Sequence, residues 1–125
     1  MLLDTHIFLW VISDNPQLSK RHREIYLDDA NDLYLSLASI WEILIKVSAG
    51  KLPLPAPASQ YLEEQMRENC ITPLGILPRH LRELEQLPTH HRDPFDRMLL
   101  AQARSEGMPL LSGDRQMRRY GVRIL

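Results

Sequence analysis

Four acidic residues occur in surroundings where a carboxylate could serve catalysis. Asp4 and Asp114 each follow a short apolar run, whereas Glu42 and Asp96 lie within mainly apolar segments of helical periodicity. Burying an unpaired charge costs several kcal/mol or more, so each of these side chains needs a cation. Clusters of carboxylates are the ligands preferred by Mg²⁺ and Mn²⁺. The four acids therefore predict a hard-cation site suited to phosphodiester hydrolysis.

The best-defined of these segments begins at Asp93. Asp93 has the residue type of a helix N-cap, Pro94 fits the first helical position, and Asp96 the third, where it can accept from first-turn amides. Asp96 also aligns with Leu100 and Ala103, which form an apolar row. A helix dipole supplies only about 0.3–1 kcal/mol to a carboxylate in its first turn, so a cation is still required. Asp93 is interpreted as a cap or as a further metal ligand.

Two of the acids have a purely structural alternative. Asp4 could cap a helix over residues 7–12. Glu42 could pair with Lys46 four residues on, an interaction worth about 0.2–0.5 kcal/mol on an exposed helix. The helix predicted over residues 37–48 is apolar around most of its circumference, which predicts that it is largely buried, with Ser39, Glu42 and Lys46 forming one narrow polar line. An exposed ion pair would not explain why a buried helix keeps a carboxylate.

Neutral and basic side chains beside the acids are further candidates. Thr5 and Ser112 could hydrogen-bond a water molecule at the metal, and Arg97 and Arg115 could hold a scissile or flanking phosphate; ordinary turn and surface roles are the alternatives. No Ser–His–Asp or Cys–His arrangement indicates a covalent nucleophile. Zinc fits less well, because His90 and His91 are adjacent and Cys70 has no second cysteine as a partner.

Strands and helices alternate along the chain. Such alternation predicts a single α/β domain over residues 1–125, a three-layer α/β/α sandwich around a mainly parallel sheet. The carboxyl ends of parallel strands meet at one edge, which would receive Asp4, Asp114 and the helix carrying Glu42. The predicted strands are 2–3, 32–36, 71–76, 109–112 and 122–125, and the predicted helices are 7–12, 19–28, 37–48, 59–69, 78–87, one from 94 to Gly107, and one following Asp114.

Composition bounds the partners and the compartment. The net charge is -1, but residues 1–78 hold 6 basic and 10 acidic groups, whereas residues 79–125 hold 9 arginines and 6 acids. This imbalance gives weak support for a polyanionic partner. The single cysteine, Cys70, excludes a disulfide framework and is interpreted as a small core residue. The first residues lack the features of a signal peptide or membrane span, so a soluble, cytoplasmic protein is expected, with no membrane partner.

Four blocks of the chain resemble those of PIN-domain nucleases, and more narrowly VapC-type toxins of type II toxin–antitoxin pairs. The blocks extend over most of the chain: LDTH at 3–6, SLASIWE at 36–42 with Lys46, DPFDR running to AQA at 93–103, and SGD at 112–114. Each block alone is weak, but together they are specific. The chain departs from the common pattern at SGD, where a threonine often occupies the turn.

The resemblance implies a PIN-like fold with a five-stranded parallel sheet, a homodimer, and Mg²⁺- or Mn²⁺-dependent endoribonuclease activity on RNA. It implies that Asp4, Glu42, Asp96 and Asp114 form the acidic quartet, while Asp93 matches the subfamily motif. It further implies a VapB-type antitoxin whose tail crosses and blocks the acidic cleft.

Two rival functions are compatible with parts of the pattern. A catalytically silent RNA-binding or scaffold protein of the same fold is one, although the intact quartet argues against it. A phosphotransfer domain with Asp4 as phosphoacceptor is the other. That class requires a lysine near the far strands, whereas the last lysine here is Lys51, and its dehalogenase-like version requires an acid where His6 stands.

Overall fold

A parallel sheet forms the centre of the fold in the computed structural model, which describes residues 1–89 and 93–125. Four strands are present in these two ranges, and every pairing is parallel. The order across the sheet is β3-β2-β1-β4, so β1 and β2 are the inner strands. The carboxyl ends of all four strands therefore meet at one edge, as predicted. The strands are β1 (Leu2–Leu3), β2 (Leu33–Ser36), β3 (Ile71–Leu74) and β4 (Leu110–Leu111).

The fifth strand implied by the family resemblance is reduced to a single bridge. Leu110 pairs with Ile124 in the parallel sense. Its N–H donates to the carbonyl oxygen of Arg123 and its own carbonyl accepts from Leu125 N–H, both at 2.9 Å. Because β4 itself has only two residues, the partner segment cannot extend into a ladder. The described residues thus form four strands beside a bridged edge, a minor difference from five.

Six α-helices and one 3₁₀ helix connect the strands within the described ranges. Local signals define several of their ends: the Ser19 and Ser36 hydroxyls accept from His22 N–H and Ala38 N–H, and Gly107 ends a helix with φ of 64°. The helix expected after Asp114 is present and is a 3₁₀ helix. The helices are α1 (Thr5–Ile12), α2 (Lys20–Leu27), α3 (Leu37–Ser48), α4 (Ala58–Glu68), α5 (Pro78–Gln86), α6 (Pro94–Glu106) and the 3₁₀ helix Arg115–Tyr120.

Two hydrophobic cores flank the sheet. Adjacent side chains of a strand point to opposite faces, and the two residues of β1 divide accordingly. Leu3 packs in one core with Phe8 and Ile43, from α1 and α3. Leu2 packs in the other with Leu99 from α6 and with residues of the 3₁₀ helix. This division confirms the three-layer α/β/α architecture.

Helices α5 and α6 form an antiparallel pair joined by charged contacts. Glu106 Oε1 lies 2.7 Å from Arg79 Nη2 and 2.6 Å from Nε2 of His80, which is fully buried. Arg104 and Glu83 form a second ion pair at 2.9 Å. These contacts fix α6, the helix that begins with the DPFDR block.

The exposure of helix α3 and of Cys70 differs from what the sequence predicts. Helix α3 is not largely buried, because only its sheet-facing side is covered and Trp41 is 61% exposed. Cys70 is exposed and is not a core residue. The adjacent histidines His90 and His91, which fit zinc poorly by their spacing, lie outside the described residues. Within residues 1–89 and 93–125, every helix is too short or too polar to cross a lipid bilayer.

Candidate active site

Asp4 lies at the carboxyl end of β1, an inner strand of the sheet, and is 4% exposed. It occupies the N-cap position of α1, as the structural alternative expects, but its side chain makes no capping hydrogen bond. Its Oδ2 accepts a hydrogen bond from Ser112 Oγ at 2.7 Å. Its Oδ1 is buried and has no hydrogen-bond partner in the described part of the chain. One oxygen of Asp4 is thus held in place while the other remains open to a ligand.

The electrostatics of Asp4 favour a cation beside it. Burial raises the pKa of the Asp4 carboxyl above its ordinary value, and the nearby negative charge of Glu42 raises it further. The hydrogen bond from Ser112, the positive charge of His6 and the nearby backbone of Thr5 lower the pKa of Asp4 without cancelling the effect of burial. The ionised form is therefore disfavoured unless positive charge is supplied.

Glu42 is the second buried carboxylate, at 7% exposure on α3. Lys46 Nζ lies 3.4 Å from Glu42 Oε2, so the ion pair expected as the structural alternative is confirmed. That contact leaves Oε1 buried and without a hydrogen-bond partner among residues 1–89 and 93–125. The ion pair with Lys46 therefore satisfies only one of the two carboxylate oxygens of Glu42.

Asp114 is linked to Asp4 through a shared hydroxyl. Ser112 Oγ donates to Asp4 and accepts from the backbone N–H of Asp114 at 3.0 Å. The Asp114 side chain accepts from Gln116 N–H at 2.9 Å, which caps the 3₁₀ helix. The Ser112 hydroxyl therefore orients Asp4, while its predicted role toward a water molecule at the metal stays a prediction.

The two acids of α6 stand at the beginning of that helix. Asp93 Oδ1 accepts from Phe95 N–H at 2.8 Å and from Asp96 N–H at 3.2 Å, so the capping role is confirmed and a ligand role stays open. Asp96 is half-buried in the first turn. The Phe95 ring meets the ring of Trp41 edge-on, with centroids 5.3 Å apart. This contact brings the head of α6 against α3 at the residue next to Glu42.

The predicted residues Thr5, Arg97 and Arg115 differ in their burial and in their hydrogen-bond partners. Thr5 Oγ1 donates to Ser39 Oγ at 2.9 Å, and both residues are buried. Ser39 lies on the same polar line of α3 as Glu42 and Lys46, a pattern that marks the polar side of the helix but does not predict the contact with Thr5. Arg97 Nη1 donates to the carbonyl oxygen of Pro88 at 2.8 Å, and Arg115 is exposed at the first position of the 3₁₀ helix. The phosphate-binding roles of both arginines stay predictions.

The open oxygens of Asp4 and Glu42 decide whether a divalent ion fits. Among residues 1–89 and 93–125, no three Asp, Glu, His or Cys side chains lie close enough together to hold a metal ion between them. Two buried carboxylates, each with one unpartnered oxygen, nevertheless suit Mg²⁺, which keeps several waters and commonly takes one or two protein carboxylates. The donor set, all oxygen, also suits a hard cation.

Comparison with known proteins identifies the family. Residues 1–123 match the family model of the PIN domain. The chain belongs to the PIN domain family. Among curated relatives, it is 41% identical to Ribonuclease VapC16 of Mycobacterium tuberculosis over 58 residues, which is 46% of this chain and 41% of VapC16. The match thus spans less than half the length of that relative. Ribonuclease VapC22 of the same organism is 27% identical over 121 residues, 96% of this chain and 91% of VapC22.

Two solved structures share the PIN fold of this chain. VapBC2 from Rickettsia felis, bound to a DNA fragment from its promoter, superposes with a TM-score of 0.74 at 14% identity, covering 99% of this chain and 96% of that one. FitAcB from Neisseria gonorrhoeae superposes with a TM-score of 0.67 at 18% identity, covering 99% and 95%. At these identities the likeness establishes the fold alone.

Proposed function

We propose that this PIN-domain chain is a metal-dependent endoribonuclease and the toxin of a VapBC-type toxin–antitoxin pair. The observation that carries the proposal is the pair of buried carboxylates, Asp4 and Glu42, each with one oxygen that no described residue satisfies. A buried acid in this state is costly unless a cation accompanies it. The similarity to curated proteins named Ribonuclease VapC supports RNA as the substrate.

Asp4 and Glu42 are the proposed ligands of Mg²⁺ or Mn²⁺, with Asp96 and Asp114 completing the acidic quartet. A divalent ion held by carboxylates activates water and stabilises developing charge in phosphodiester hydrolysis. Ser112 orients Asp4 through its hydrogen bond. Asp93 is a fifth candidate ligand in addition to its capping role.

Neighbouring side chains are proposed to assist in binding the substrate. Thr5 directly follows Asp4 and Ser112 precedes Asp114 by two residues, and both hydroxyl side chains are buried. Arg97 follows Asp96 and Arg115 follows Asp114, so both can offer bidentate contacts to phosphates at the edge where the acids stand.

The decisive experiment compares RNA cleavage by the wild type and by Asp96→Asn. Cleavage is expected only with Mg²⁺ or Mn²⁺, and the variant is expected to lose it while keeping the wild-type unfolding temperature, because Asn retains the shape and the first-turn position. Cleavage in excess chelator, or undiminished cleavage by the variant, would refute the proposal. RNA binding without cleavage by the wild type would instead identify a silent RNA-binding member of the fold.

The proposed partners are a VapB-type antitoxin and a second copy of this chain. The likeness to the VapBC2 assembly supports the first. The second is supported by exposed apolar side chains on one side of α3, namely Leu37, Trp41 and Ile45 at 47%, 61% and 45% exposure. Their spacing of four residues aligns them as one stripe. A toxin that cleaves RNA is proposed to act in the cytoplasm.

A further inference from the structure

Lys46 forms an ion pair with Glu42, one of the two buried carboxylates of the candidate site. Its Nζ lies 3.4 Å from Glu42 Oε2, and the two side chains are 36% and 10% exposed. The lysine thus lies on the solvent side of a carboxylate that is itself almost covered. Lys46 lies four residues after Glu42 in α3, which is about one helical turn, so the helix backbone fixes the spacing of the two side chains.

A second ion pair in the chain has the same sequence spacing but a different environment. Lys20 Nζ lies 3.9 Å from Glu24 Oε1, and these side chains are 91% and 67% exposed. Water and salt screen such a pair, so it contributes little. The field of Lys46 acts on a partly desolvated carboxylate, where screening is weaker and the charge has a larger effect.

Lys46 provides positive charge beside two buried carboxylates that lie near each other. Asp4 and Glu42 are close enough for the charge of Glu42 to act on the Asp4 carboxyl, and each has a buried oxygen without a partner in the described chain. One lysine charge offsets part of this negative potential. The same charge must repel any second cation that enters the site.

We propose that Lys46 is a built-in counter-cation that stabilises the metal-free site and thereby weakens its affinity for divalent metal. This inference rests on the proposed function. Lys46 is a positioning residue in this scheme, because it acts on the metal site through Glu42. Removing its charge leaves the two carboxylates less compensated in the metal-free chain and removes a like charge from the metal-loaded one, so both effects favour metal binding.

The test is a calorimetric titration of the full chain with Mn²⁺ at constant pH and ionic strength. Lys46→Met is expected to bind Mn²⁺ about tenfold more tightly than the wild type, because the repulsion between the lysine charge and the metal ion is removed. Lys46→Arg keeps the charge and should bind as the wild type does. Lys20→Met is the matched control, because it removes a lysine from an exposed pair of the same spacing, and it should leave the affinity unchanged.

A second readout separates electrostatic compensation from a simple loss of structure. Without metal, Lys46→Met should unfold at a lower temperature than Lys20→Met, and added Mn²⁺ should raise its unfolding temperature by more than it raises that of the wild type. If Lys46→Met does not fold, Lys46→Gln supplies a neutral polar replacement for the same titration.

The possible outcomes distinguish the inference from the function on which it rests. Unchanged or weaker Mn²⁺ binding by the neutral variants, with a wild type that binds, overturns the role of Lys46 alone. If the neutral variants show no tighter Mn²⁺ binding and also cleave RNA more slowly, the inference is overturned and Lys46 is assigned to a contact with the RNA phosphate. A wild type that binds no Mn²⁺ would overturn both the proposed function and this inference.

Discussion

Ser112 Oγ donates a hydrogen bond of 2.7 Å to Asp4 Oδ2, joining residues 108 positions apart. The same oxygen accepts from Asp114 N–H at 3.0 Å. One hydroxyl therefore uses its hydrogen on the carboxylate after β1 and a lone pair on the backbone after β4. Because those strands are neighbours in the sheet, this contact couples two of the four candidate acids.

Replacing Ser112 with alanine should weaken the site without removing a ligand. Asp4 Oδ2 loses its donor and Asp114 N–H loses its acceptor, so the carboxylate is no longer held in one orientation. Supporting hydrogen bonds of this kind are typically worth 10- to 100-fold in metal affinity or activity. We expect a loss of roughly that size in Mn²⁺ binding, measured by calorimetry, and in RNA cleavage. Ser112→Thr keeps the hydroxyl and should retain most of both, and equal losses in the two variants would contradict the role given to the hydroxyl.

Asp4→Asn should abolish cleavage and leave the metal-free chain at least as stable as the wild type. Burial raises the pKa of Asp4 from its ordinary value of 3.8, so the folded state binds this proton more tightly than the unfolded state does. The charged carboxylate thus destabilises the wild type above its raised folded pKa, and this penalty disappears below 3.8. Urea unfolding in chelator at neutral and at acidic pH measures this penalty as the difference in unfolding free energy between the wild type and Asp4→Asn. The exposed Asp29→Asn is the control, and a strongly destabilised Asp4→Asn would contradict the argument.

Local signals allowed much of this structure to be predicted. The bounds of α3, the capping role of Asp93 and the end of α6 at Gly107 follow from residues adjacent in sequence. The meeting of Asp4 and Asp114 at one sheet edge follows from parallel topology. These features depend on periodicity, caps and strand direction, all of which are encoded over a few residues.

Features that depend on distant packing were not predictable in the same way. The bond between Thr5 and Ser39 requires α1 and α3 to meet in a particular register, which no local pattern specifies. The exposure of Trp41 depends on which side of an almost wholly apolar helix the sheet covers. Periodicity cannot choose a side when nearly every side is apolar.

Acid should selectively weaken the contact between α5 and α6. Hydrogen bonds from His80 and from Arg79 hold the pKa of Glu106 below its ordinary value of 4.5. His80 Nδ1 accepts from Leu77 N–H, so Nε2 carries the hydrogen that is donated to Glu106. A group with a lowered folded pKa contributes stability that is present above the unfolded value and is lost as the pH falls through the folded value.

Glu106→Gln should therefore destabilise the chain by about 1 kcal/mol at pH 7, the scale of a hydrogen bond in a partly covered site. The difference from the wild type should shrink as the pH falls below 4.5 toward the lowered pKa of Glu106. Urea unfolding across this range provides the measurement. Glu83→Gln removes the other ion pair between the same helices, which has no histidine, and serves for comparison. A difference that stays constant with pH would show that the carboxylate charge is not responsible.

The exposed stripe on α3 should determine the oligomeric state. Ile45 is 45% exposed and Trp41 61% exposed on the same side of the helix, so two copies that pack through this side would remove both from water. Ile45→Glu would bury a charge in that interface and is expected to convert a wild-type dimer into a monomer in light scattering after gel filtration. Leu27→Glu is the matched control, because Leu27 is a 64% exposed leucine on α2 and lies away from the stripe. A wild type that is monomeric, or an Ile45→Glu variant that stays dimeric, would exclude this face as the interface, since a glutamate cannot be desolvated there without a partner.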